Sequence, residues 1–290
     1  MQHPISEEEY RDFRSFLEEA TGILLGDNKH YLVTSRLHRL LDEHGLSDVG
    51  ELLVRLRRER HGELRNRVIE AMTTNETLWF RDIHPYEILK NLILPELVRT
   101  GVRRVTVWSA ACSSGQEPYS ISMVVDEFLA THPGTLSGGV SILATDISTR
   151  VLNEARRAIY DTTSVARGLS EERRKRFMTP VQVKTGQAWE VRPEIRSRVT
   201  FREINLTQPL TGMGRFDVIF CRNVLIYFSS DLKRALLTRL AGALNPGGWL
   251  ILGASESIAG VSDTFEMVRA ERSVVYRIVA PRPSTPPGRS

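Results

Sequence analysis

Three stretches of this chain place chemistry-capable residues where a folded α/β domain would use them. The first is Trp108–Tyr119, WSAACSSGQEPY, a small-residue turn between the apolar run Val102–Trp108 and a helix-forming segment. The spacing predicts a strand over Val102–Trp108 and a helix from Pro118, at its first position, to about Ala130. Strand, turn and helix in that order aim backbone N–H groups and a helix N-terminus at a ligand of nucleotide type. A pyrophosphate-binding fingerprint needs GxGxxG, whereas Ala110, Ala111, Cys112, Ser113, Ser114 and Gly115 stand here, which disfavours a dinucleotide. The second stretch, Ser141–Asp146, ends in a carboxylate that either grips ribose hydroxyls or caps the next helix, and one Asp can do both. The third, Phe216–Phe228, FDVIFCRNVLIYF, presents Arg222, Asn223 and Tyr227 beyond an apolar strand, where open α/β sheets gather reacting groups.

These residues need a sheet to hold them. A helix is expected over Asp231–Leu244, a turn at Asn245, Pro246, Gly247 and Gly248, and a strand over Trp249–Leu252. Alternating strands and helices predict a parallel sheet with crossover connections, the α/β class. Residues 1–72 read differently, as helices over Ile5–Ala20 (introduced by Ser6 and its glutamates), Tyr31–His44, Val49–Arg60 and Gly62–Ala71. The second of these carries Arg36 and Arg39 on its polar side and ends at Gly45. Val181–Val191 breaks the rhythm and predicts a β-hairpin about Thr185-Gly186. The proline-rich stretch 280–290 is expected to be disordered, leaving 73–279 as the catalytic domain.

Five blocks in order, TTNETLWFRD at Thr73–Asp82, WSAACSSGQEPYSI, ATDIS, FDVIFCRNVLIYF and LNPGGWLILGASES, resemble the signatures of the CheR group of chemotaxis protein-glutamate O-methyltransferases. The resemblance implies a Rossmann-like S-adenosylmethionine-dependent methyltransferase sheet, a small amino-terminal helical domain, and a small antiparallel β-subdomain inserted at about 178–200. It implies methyl transfer from S-adenosylmethionine, leaving S-adenosylhomocysteine, to glutamate side chains of chemoreceptors. Asn75, Thr77 and Arg81 match positions that contact the cofactor, with Arg81 also a cationic guide for the carboxylate. Glu117 matches the partner of the methionine amino group, Asp146 that of the ribose, and Asn205 and Leu206 line the adenine. Arg222 and Asn223 match the strand-end pair beside the transferring methyl, and the resemblance implies that Tyr227 helps to orient the substrate. Glu76, Leu78 and Trp79 depart from the first motif in ways expected to alter packing. The implied partners are the acidic signalling helices of receptors, met by Arg36 and Arg39, and a receptor carboxyl-terminal peptide on the β-subdomain.

Composition bounds the alternatives. The chain has 290 residues, 41% of them hydrophobic, enough for one large core and a satellite domain. It lacks an apolar run of membrane-spanning length and a signal-peptide start, which predicts a cytoplasmic protein, expected to be a monomer. A net charge of +4 invites nucleic acid, but the charges are mixed, and the Arg55–Arg67 cluster is interrupted by Glu59 and Glu63, as on a solvated helix face. Cys112 and Cys221 are expected to be free thiols serving as apolar filler, and the seven scattered histidines predict no metal site. A glutamate carboxylate is already ionised at neutral pH and a sulfonium methyl already activated, so no strong general base is required. A nitrogen or nucleic-acid acceptor commonly calls for an Asn/Asp-Pro-Pro-Tyr turn, and Cys221-Arg222-Asn223-Val224 has no proline. A cofactor sensor without turnover is the remaining alternative, disfavoured by the full set of Arg81, Arg222 and Tyr227.

Overall fold

The computed structural model describes residues 5–59, 62–184, 186–270 and 273–279. The expectations for His3, Arg60, His61, Thr185 and the 280–290 tail lie outside the described residues.

The amino-terminal helices are α1 (Glu7–Thr21), α2 (His30–His44), α3 (Val49–Arg58) and α4 (Glu63–Met72). Ser6 starts α1 through a reciprocal capping box with Glu9, and Gly22, at φ 78°, ends it. Tyr10, Phe13 and Leu17 of α1 fall on one face and are buried against Val33 and Leu37 of α2, Leu52 and Leu56 of α3, and Val68 of α4. That gives this part of the chain its own apolar core.

Among the described residues, the rest is built on ten strands: β1 (Val105–Ala110), β2 (Val140–Asp146), β3 (Ile159–Asp161), β4 (Met178–Val183), β5 (Gly186–Val191), β6 (Val199–Glu203), β7 (Phe216–Cys221), β8 (Leu244–Leu252), β9 (Phe265–Ala270) and β10 (Ser273–Ile278). Seven form one sheet in the order β6-β2-β1-β7-β8-β10-β9. The first five pair in parallel, and β10 runs antiparallel between β8 and β9. The order reverses direction at β1, so the carboxyl ends of β1, β2 and β7 open on a common crevice. Helices cover both faces, Gln116–Thr131 with the His84–Ile88 run on one and Ser230–Ala243 on the other, burying Val107, Val218 and Phe220 on the first side and Trp108, Ile219 and Leu250 on the second.

Several boundaries differ from the sequence reading for local reasons. Strand β1 begins at Val105, where pairing with Val140 starts, because the Val102 N–H is taken by the Leu97 carbonyl. Pro118 is the third residue of its helix, behind Gly115 at φ 96° as the cap; the whole first turn lacks intrahelical N–H partners, so proline is tolerated there. The Asn245–Gly248 segment is a bulge inside β8, which shifts register between Phe216 and Val218 and is pinned by Asn245 Nδ2 donating to Asp217 Oδ1 at 2.7 Å. The hairpin of β4 and β5 gains a third strand, β3, giving a small antiparallel sheet in the order β3-β5-β4. Strand β3 has only three residues, too short for a period to register in sequence. Strand β6 belongs to the large sheet. Among the described residues no helix is long and apolar enough to cross a membrane.

Candidate active site

The loop after β1 follows an unusual backbone path that its small residues permit. Ala111, Ser113 and Gly115 have φ of 59°, 49° and 96°. A Cβ on Gly115 would lie 2.8 Å from Ala155 Cβ and 2.9 Å from the Tyr160 hydroxyl, which itself donates to the Ser114 carbonyl at 2.7 Å. Only glycine fits there. The loop is tied to β2 at both levels: Cys112 N–H donates to the Thr145 carbonyl at 2.9 Å, and Ser113 N–H to Asp146 Oδ2 at 2.9 Å. Asp146 Oδ1 accepts from Ser148 N–H at 3.0 Å. Burial raises the Asp146 pKa, with these N–H donors opposing the shift. The cap of the following helix is Ser148 rather than Asp146, reinforced by Glu70 of α4, which accepts from the Thr149 hydroxyl and Arg150 N–H at 3.1 and 3.0 Å.

At the end of β7 lies a buried ion network. Arg222 donates through Nη1 to Glu117 Oε2 at 3.0 Å, and through Nη2 to Asp82 Oδ2 at 2.8 Å and the Arg81 carbonyl at 2.7 Å. Ser109 donates to the other Glu117 oxygen at 2.8 Å. The Arg222 side chain is 1% exposed. Burial pulls its pKa down, but the surrounding acidic groups outweigh that, so the guanidinium stays charged. Asn223 follows at φ 57°, and its N–H donates to Glu256 Oε2 at 2.7 Å; the same carboxylate accepts from Gly253 N–H at 2.8 Å and Ile226 N–H at 3.3 Å.

One cleft collects every residue that the sequence reading assigned to cofactor or methyl transfer: Asn75, Thr77, Arg81, Glu117, Asp146, Asn205, Leu206, Arg222, Asn223 and Tyr227 all line it. Counting the open solvent at its mouth, it encloses about 940 Å³. Asn205 is also a brace, its Nδ2 donating to the Ala20 carbonyl of α1 at 2.8 Å while Oδ1 accepts from Thr207 N–H at 2.9 Å. Arg81 donates only to the Glu76 carbonyl, at 3.0 Å, and among the described residues forms no ion pair, because Asp82 is taken by Arg222 and Glu87 by His84. Cys112 lines the cleft and Cys221 is buried, and burial pushes both thiols well above their usual range, as apolar filler requires.

Sequence reasoning missed four participants. Thr21 and Ile23, at the end of α1, form part of the cleft wall, and nothing in their local pattern marks them. Asp82 and Glu256 had a signal, since both sit inside quoted blocks as the acids nearest the functional residues.

The doubly wound sheet with an antiparallel strand between its last two, and an acid-lined cleft at the ends of β1, β2 and β7, define an α/β methyltransferase domain with a helical domain closing one side. Residues 75–274 match the CheR methyltransferase, SAM binding domain, and residues 8–73 the CheR methyltransferase, all-alpha domain. The chain belongs to the CheR methyltransferase family. It is 49% identical to chemotaxis protein methyltransferase Cher2 of Pseudomonas putida, over 93% of this chain and 97% of that protein. It is 51% identical to chemotaxis protein methyltransferase 1 of Pseudomonas aeruginosa (91% and 96% covered) and 48% identical to a chemotaxis protein methyltransferase of Vibrio parahaemolyticus (94% and 98%). Among solved structures it is similar to magnesium protoporphyrin IX methyltransferase (ChlM) from Synechocystis PCC 6803 with bound SAM, at 17% identity and a TM-score of 0.38 over 71% of this chain and 87% of that one.

Proposed function

We propose that this enzyme methylates glutamate side chains of cytoplasmic chemoreceptor helices, forming glutamyl methyl esters, and itself works in the cytoplasm. When bound, S-adenosylmethionine supplies a sulfonium methyl already activated for transfer. The cleft fits that group: its small-residue loop admits close approach, and it offers two separate carboxylates, Glu117 for an amino group and Asp146 for ribose hydroxyls. Asn75 and Thr77 border the same pocket, Leu206 provides an apolar wall for the adenine, and Asn205 braces that wall against α1.

The observation that carries the acceptor assignment is Arg81, a cation that lines an acid-lined cleft and has no carboxylate partner among the described residues. It attracts an acceptor carboxylate that is ionised at neutral pH, so the enzyme's work is alignment and exclusion of water. Tyr227 lines the same cleft and orients the acceptor. Arg222 and Asn223 set the geometry beside the methyl, Arg222 through its protein partners, since both of its terminal nitrogens are engaged.

Receptor docking falls to α2. Arg39 is 91% exposed in its side chain, whereas Arg36 is held by the Met72 carbonyl at 2.7 Å and the Thr74 hydroxyl at 3.1 Å, where it braces the link into the catalytic domain. The outer edge of β4, unpaired among the described residues, supports docking of a receptor carboxyl-terminal peptide there. Replacing Arg81 by Ala tests the acceptor role: methyl transfer to receptor should fall far more than cofactor affinity, and equal losses would contradict it.

A further inference from the structure

Ile83, two residues past Arg81, takes no part in the site as assigned, yet the chain holds it in an unfavourable conformation. Its φ and ψ are 54° and −56°, and the backbone closes as a γ-turn in which His84 N–H donates to the Asp82 carbonyl at 2.5 Å. A β-branched residue at positive φ is a backbone outlier, and such outliers concentrate where function demands them. Core packing does not compensate, because Ile83 is 57% exposed. The turn is instead held by Arg222, just past the end of β7, through the Arg81 carbonyl and the Asp82 carboxylate.

Two other large apolar residues are exposed beside the same cleft. Ile226, adjoining Tyr227, is 49% exposed, and Leu24, whose N–H donates to the Tyr227 carbonyl at 2.9 Å, is 43% exposed. We propose that Ile83, Ile226 and Leu24 form an apolar rim that seats the apolar side chains flanking the target glutamate on an amphipathic substrate helix. The assignment rests on the glutamyl acceptor proposed above and specifies how that acceptor is recognised. Charge complementarity selects the occupant. Among the described residues that line the cleft, the cation free of an ion pair is Arg81, and the adjacent acid, Asp82, is committed to Arg222. A carboxylate flanked by apolar side chains at helical spacing satisfies both the cation and the rim, whereas a free acidic metabolite would leave the rim in water.

The test compares wild type, Ile83→Ser, Ile226→Ser and Ile83→Gly in methyl transfer from labelled S-adenosylmethionine to chemoreceptor-containing membranes, with cofactor affinity measured by calorimetry. Each serine variant should raise KM for receptor about tenfold, the scale of one lost apolar contact, while binding cofactor as wild type does. Ile83→Gly should raise that KM too, yet melt at a higher temperature, because glycine relieves the turn. Unchanged receptor KM in both serine variants would overturn the proposal, as would a loss confined to cofactor affinity. Absence of base-labile ester in the wild-type reaction would instead remove the glutamyl acceptor on which the rim depends.

Discussion

The guanidinium of Arg222 holds the backbone of Arg81 across 141 residues of sequence, its Nη2 donating to the Arg81 carbonyl at 2.7 Å. One buried side chain thus links the end of β7, Glu117 of the cleft and the turn that carries Arg81.

Lysine at position 222 would keep a charge beside Glu117 but could not also span to Asp82 and the Arg81 carbonyl. Arg222→Lys should therefore retain cofactor binding within a few-fold and lose roughly 100-fold in single-turnover transfer, the scale of a misplacement of about 1 Å. Arg222→Met removes the buried cation altogether and should cost about 3–5 kcal/mol in unfolding experiments. Wild-type turnover by the lysine variant would show that the bridge is dispensable.

Glu256 accepts three backbone N–H groups around the strand-end turn and fixes Asn223 at positive φ. Its loss should loosen Asn223 and Tyr227 together. Glu256→Ala is expected to lower kcat by roughly 10- to 100-fold with a smaller effect on cofactor affinity. Glu256→Gln, which keeps one accepting oxygen, should recover a substantial part. Equal kcat in Ala and Gln variants would mean the clamp does not set the geometry.

Arg39→Glu should weaken methylation of receptor membranes while cofactor affinity is unchanged, and the deficit should shrink as salt is raised, since an exposed charge acts over a screened distance. Arg36→Glu should behave differently, disturbing stability as well, because it breaks the contacts to Met72 and Thr74. Identical behaviour of the two variants would argue against this division of roles.

Glu127 supplies a pH signature for the fold. Burial alone would raise its pKa, but hydrogen bonds from Arg173 and Lys90 outweigh burial and hold it below the usual glutamate range. The folded state therefore binds this proton less readily than the unfolded chain. The stabilisation is complete above about pH 4.5 and is lost as pH falls through the folded value. Glu127→Gln should cost roughly 1–2 kcal/mol at pH 7, with the difference from wild type closing in that acid range in urea titrations. A constant difference across it would assign the effect to packing.

Most of the site was legible because its residues lie in short blocks at strand ends, where local pattern and tertiary position coincide. Ser6 announced α1, and the small residues of the β1 loop announced the cleft. What stayed hidden depends on contacts distant in sequence. Nothing near Thr21 or Ile23 says that the end of α1 walls the cleft, because the Asn205 brace to Ala20 comes from 185 residues away. Arg36 reads as a polar-face cation until the Met72 carbonyl is found at its tip. Strand β3 is visible only by its pairing to β5.

The central claim is chemical, that a carboxylate accepts the methyl. Transfer of labelled methyl from S-adenosylmethionine to chemoreceptor-containing membranes, followed by mild base and collection of volatile methanol, tests it directly. Base-labile label on receptor-sized protein is the predicted result. Label that survives base would point to a nitrogen or other acceptor, and cofactor binding without any label would leave a docking module that does not turn over.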